Sequence, residues 1–155
     1  MLVLVLLPLL PTLALADWQN TKWGMAVSQV SAATGAHSTT ADERANWRRG
    51  DNLPLLSMDY VSGNLRFKDL FYFPKLGGLK FVELHLEDYT KKVDLINALI
   101  GKYGPPIEKH ESDVGMSMRW LDKPDNLLIG FVDLSIISDA SVIYNPASNQ
   151  SSSGL

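Results

Sequence analysis

Apolar residues recur at helical spacing at Val27, Val30 and Ala33 or Thr34, and Gly35 follows in the position of a C-terminal cap. This predicts a short first helix. Thr40-Ala-Asp-Glu43 has the spacing of a capping box, with Asp42 and Glu43 at the positive start and Arg48 and Arg49 before Gly50, which predicts a second helix over about Ala41–Arg49. From Leu55 the period changes to two. Met58 and Tyr60 alternate, Ser62-Gly63-Asn64 supplies a turn, and Leu65 and Phe67 begin a strand running to Phe73. After the turn Pro74–Gly78, a strand over Leu79–Glu87 sets Val82, Leu84 and Leu86 on one face and Glu83, His85 and Glu87 on the other. The expectation is that the first face is core and the second is wet. Asp88 or Thr90 can cap the longest helix, whose stripe Val93, Ile96, Leu99, Ile100 and Tyr103 ends at Gly104-Pro105-Pro106.

The rest of the chain reads as strands. They are predicted at Ile107–Glu111, around Met116, Met118 and Trp120, at Leu127–Leu134, and at Ser141–Tyr144. Helices separated by strand meanders imply an α+β fold, an antiparallel β-sheet with two main helices on one face. The order also suggests a duplicated α-β-β-β unit, since Val27 and Val30 before Gly35 echo Val93 and Ile96 before Gly104.

Residues 1–16 are uncharged and apolar and end Ala14-Leu15-Ala16, which reads as a secretory signal peptide, too short to span a bilayer. The lack of Lys or Arg ahead of this run leads us to expect a true start upstream. Cleavage after Ala16 would leave 155 − 16 = 139 residues, enough for one domain over 17–145, with 146–155 having the composition of a disordered tail. The expected location is the periplasm or the cell exterior. With no cysteine there is no lipoprotein anchor, disulfide or thiolate site, and 14 basic against 17 acidic residues argue against nucleic-acid partners and stable membrane attachment.

Trp23-Gly24-Met25, Gly77-Gly78-Leu79-x-x-Val82-x-Leu84 and Tyr103-Gly104-x-Pro106, in that order behind a signal peptide, resemble a broad group of small bacterial exported proteins of unassigned function. That group includes proteins compared with the β-lactamase-inhibitor-like fold. The resemblance implies an antiparallel α+β domain in the envelope or outside the cell and carries over no catalytic residue.

Glu83-x-His85-x-Glu87 places an imidazole and two carboxylates on one strand face, a set that could hold Zn²⁺ or an acid/base group or simply be a solvated strand. A zinc site would draw its third imidazole from His37 or His110. Met116 and Met118 could offer thioethers to Cu(I), but beside Trp120 at period two they read as core. No Gly-x-Ser-x-Gly and no phosphate loop is present. Trp47 beside Arg48 and Arg49 combines residue types enriched at binding hot spots, although Trp47 could equally plug the sheet edge and Trp23 staple the first helix. The chain thus reads as a non-catalytic exported domain that needs no cofactor or metal and binds an envelope or secreted protein through Trp47, Arg48 and Arg49 or through Glu83, His85 and Glu87. The alternative is a metal-dependent or acid/base enzyme centred on Glu83, His85 and Glu87.

Overall fold

The computed structural model describes residues 18–147. The signal segment and residues 148–155 of the expected tail lie outside them. Helix α1 spans Val27–Thr34, where the Gln29 side chain accepts from the Ala26 N–H at 2.8 Å and Gly35 takes the left-handed cap conformation. Strand β1, His37–Ser38, leads into α2, Ala41–Asn46. The Thr40 capping box forms with reciprocal bonds of 3.1 and 2.8 Å to and from Glu43. α2 stops short of the expected Arg49, because Arg49 and Asn52 exchange backbone bonds of 3.1 and 2.9 Å around a tight turn at Gly50.

Strands β2 (Leu53–Ser62), β3 (Leu65–Phe73) and β4 (Phe81–Leu86) form the first meander. Helix α3, Lys92–Tyr103, follows. Then come β5 (Glu108–Ser112), β6 (Gly115–Asp122), β7 (Leu127–Leu134) and β8 (Asp139–Pro146), the last reaching beyond the expected Tyr144. All pairs are antiparallel, and the eight-stranded sheet has the order β1-β2-β3-β4-β8-β7-β6-β5. Each half is therefore a helix and a meander, and the halves meet where the final strand of one pairs with the final strand of the other. The first half runs α-β-α-β-β-β and the second α-β-β-β-β, so neither is the bare α-β-β-β unit suggested by the sequence. No helix among the described residues is long and apolar enough to cross a membrane.

α1 and α3 cover the same sheet face: Val30, Leu95 and Leu99 share one core with Phe67, Phe71, Leu84, Trp120, Ile129 and Phe131. Each large side chain fully buried there contributes roughly 1.5–3 kcal/mol. Met118 and the partly buried Met116 join this core, as their spacing predicted. The α3 stripe is rotated from the predicted one, with Leu95 and Leu99 buried while Val93 and Ile100 are exposed. On the same side Lys92 Nζ donates to Asp133 Oδ2 at 2.7 Å and to the Tyr89 hydroxyl at 2.8 Å, so positions 92, 95 and 99 all face the sheet.

Two of the glycine motifs are partners in space. Gly24 N–H donates to the Leu79 carbonyl and Leu79 N–H to the Met25 carbonyl, both at 2.8 Å. A Cβ at Gly78 would lie 2.0 Å from the Gly24 carbonyl oxygen, so that backbone approach requires glycine. This contact takes Leu79 out of β4 and ties the segment before α1 to the sheet.

Candidate functional site

Strand β4 is buried on both faces, which corrects the expectation of a wet side: Glu83 is 1% and His85 6% exposed. β4 lies at the centre of the sheet, and the chain after α2 folds across the face opposite α1 and α3. There Trp47 packs on Leu70, Tyr72 and Phe81, and its ring centroid stands 4.1 Å from that of His85. The Tyr72 hydroxyl donates to the Trp47 carbonyl at 2.7 Å. Lys68 pairs with Glu43 and fastens α2 to the same face.

The two residue sets singled out separately thus become one cluster. Arg49 donates to Glu83 Oε1 at 2.9 Å, Ser141 Oγ donates to the same oxygen at 3.2 Å, and His85 Nε2 lies 3.3 Å from it, near enough for an ion pair but not aligned for a hydrogen bond. His85 Nδ1 faces Asp139 Oδ1, also at 3.3 Å. Burial opposes ionisation of Glu83, but the His85 and Arg49 partners outweigh it and hold the carboxyl at about 2. Burial first, and then the Glu83 charge, pushes the Tyr72 phenol up. Glu83 Oε2 has no hydrogen-bond partner.

Arg48 and Glu87 stand apart from this cluster. Arg48 is exposed and pairs with Asp51 at 3.6 Å, while Glu87 lies past the end of β4 and pairs with Arg66 at 3.5 Å. The set Glu83, His85 and Glu87 is therefore not assembled as a centre. His37 and His110 sit on the outermost strands β1 and β5, and among the described residues no group of three or more His, Asp or Glu is arranged to hold a metal. A carboxylate fixed as an anion beneath an indole is a poor proton acceptor, whereas it is an effective anchor for the segment above it. Trp47 covers the central strands β3 and β4, not the sheet edge that one of its two readings assigned it.

The cover is one-sided. α2 and Trp47 shield this face over β3 and β4, while the face continues over β6 and β7 with Leu128 and Val132 half-buried and Leu121 and Leu134 exposed. Beyond Leu134 a 3-10 turn carries Ile136 and Ile137, 74% and 65% exposed, and Val114 of the β5–β6 turn lines a shallow recess with Leu134 and Val132. The sequence reading ended the strand at Leu134 and gave residues 135–137 no element, so it passed over them. The signal was the length of the run, which outlasts a strand of typical size.

No family model matches the chain, and a search among curated proteins finds no match. Among solved structures the chain is similar to a DUF4309 family protein, YjgB, from Bacillus subtilis, with 13% identity over 82% of each chain and a TM-score of 0.45.

Proposed function

We propose that the protein is an exported, non-catalytic domain that binds a partner protein through the uncovered half of its sheet. The observation that carries this reading is the asymmetry of the second face: one half is sealed by α2, Trp47 and the Arg49–Glu83 pair, and the other presents Leu121, Leu128, Val132 and Leu134 and runs out to Ile136 and Ile137. A net charge of −3 disfavours an anionic lipid surface as the occupant and leaves a protein with an apolar contact strip. The Trp47 segment then acts as scaffold and not as contact surface. Export rests on residues 1–16 and the Ala14-Leu15-Ala16 boundary; intact-mass measurement of the protein recovered outside the cytoplasm should show a chain beginning at Asp17.

The test is a captured partner compared across variants. A partner that binds the wild type with defined stoichiometry should be lost from Ile136→Ser/Ile137→Ser, with the thermal midpoint of the variant nearly unchanged. Equal retention by that variant would refute the surface assignment.

A further inference from the structure

The two ends of the eight-stranded sheet differ. β1 is two residues long and offers almost no edge, whereas β5 runs from Glu108 to Ser112 with every residue exposed, and among the described residues β6 is its only strand neighbour. The Asp113-Val114 turn joins β5 to β6 with Ser112 opposite Gly115, and a two-residue turn makes that a hydrogen-bonded pair. Alternation from there turns the backbone groups of His110 and Glu108 toward Ser117 and Arg119, and leaves those of Lys109 and Glu111 pointing away from the sheet. The N–H and C=O groups of these two residues form an open ladder edge, to which a further strand can add.

The side chains on this edge select the strand that fits. Lys109 and Glu111 stand two apart on one face and pair at 2.6 Å. With a second β5 laid antiparallel beside the first about a two-fold axis at His110, Lys109 of each copy falls directly opposite Glu111 of the other. Four charges then alternate in sign around a square, and Glu108 falls opposite Ser112. Sliding the second strand by two residues sets Glu111 against Glu111 in one direction and Lys109 against Lys109 in the other, both repulsive. A slide of one residue sets an outward backbone group against an inward one and breaks the ladder. Charges on an edge strand ordinarily keep other strands away; in this order they make the edge selective for itself. The same register brings Ile107 of one copy beside the Asp113-Val114 turn of the other, an apolar contact for two aliphatics that are 62% and 50% exposed.

We infer that β5 docks a second copy of this chain, giving a two-fold dimer in which two eight-stranded sheets run on as one. Four backbone bonds join the copies: Lys109 N–H donates to the Glu111 carbonyl and Glu111 N–H to the Lys109 carbonyl, each twice. The axis is perpendicular to the sheet, so both copies keep their helices on one side and set their uncovered halves next to each other on the other side. A strand pair this short buries less than the roughly 1,200–2,000 Å² of a standard interface, so the dimer is weak and forms as concentration rises.

The experiment is sedimentation equilibrium of the full chain over about 5–500 µM, where a reversible monomer–dimer equilibrium is expected. Lys109→Glu and Glu111→Lys should each weaken association at least tenfold, by making the edge all acidic or all basic, with melting midpoints unchanged because both side chains are exposed. An equimolar mixture of these two variants should associate as tightly as the wild type, since each edge then meets its complement. The chain has no cysteine, so His110→Cys supplies one thiol per copy, placed on the axis within disulfide reach of its mate. Diamide should link that variant into a covalent dimer far faster than it links Ser112→Cys, whose thiol faces Glu108. A monomer throughout the range, single charge variants that associate like the wild type, no rescue in the mixture, or association lost in Ile136→Ser/Ile137→Ser instead would each overturn the assignment. The partner-binding face rests on other residues, so failure here leaves that reading intact.

Discussion

Replacing Asp69 by Asn should stabilise the protein, and by an amount that depends on pH in a defined way. The Asp69 carboxyl has an ordinary value of 3.8 and is raised by burial to about 8 in the fold. Its contribution is complete below the unfolded value and is lost as pH rises toward the folded one, because the unfolded chain gives up the proton while the folded chain retains it. At pH 7 the gap is 7 − 3.8 = 3.2 units. At about 1.4 kcal/mol per unit this is a handicap of about 4 kcal/mol, a large part of the stability of an ordinary domain. The amide bears no such cost, while its burial without a partner resembles that of the protonated acid. Urea unfolding at pH 7 should therefore show Asp69→Asn more stable by about 4 kcal/mol, equivalent to roughly 15 °C in melting temperature, with the two proteins converging near pH 4. A difference that is the same at both pH values, or a variant less stable at pH 7, would refute the reasoning.

Glu83 should impose the opposite pH dependence. Its folded value near 2 against 4.5 means stability that is full above 4.5 and declines as pH falls through 2, on the order of 3 kcal/mol; Glu83→Gln should flatten that acid limb and cost stability at neutral pH by leaving Arg49 and His85 without their anion, both read by denaturant titration across pH. Gly78→Ala puts a methyl 2.0 Å from the Gly24 carbonyl oxygen and should cost several kcal/mol, roughly 3 or more, with loss of amide protection at Leu79 in hydrogen exchange. Ile136→Ser/Ile137→Ser removes side chains already in solvent and should change unfolding free energy by less than about 0.5 kcal/mol while abolishing partner capture.

Local chemistry was the legible part of this chain. The Thr40 box, the Gly35 cap and the alternation through β3 each report on a few neighbouring residues, and all three formed. What escaped was contact between distant segments. The polar face of β4 looks wet because nothing near it in sequence covers it, and Arg49 reaches Glu83 from 34 positions away. The contact of Lys92 with Asp133, across 41 positions, was hidden for the same reason. Asp69 was different: it interrupts Leu65, Phe67, Phe71 and Phe73 on one face of a single strand, and a polar residue in that phase was readable as an anomaly. In the candidate site, Trp47 and Arg49 were singled out with Arg48, and Glu83 and His85 with Glu87, as two separate sets; the fold joins four of the six and leaves Arg48 and Glu87 outside.

The pairing of β4 with β8 also sets a timetable. The first meander is synthesised early, but its inner edge waits for a strand that begins only at Asp139, close to the end of the chain. Until then Val82 to His85 has an open hydrogen-bonding edge, and Glu83 lacks Ser141 while His85 lacks Asp139. Closure across so long a stretch is slow relative to local hairpins, so the native state is reached late and almost all at once. A chain halted before Asp139 carries two sticky inner edges and a half-neutralised charge cluster, which is a recipe for association with its own kind rather than for a smaller working protein.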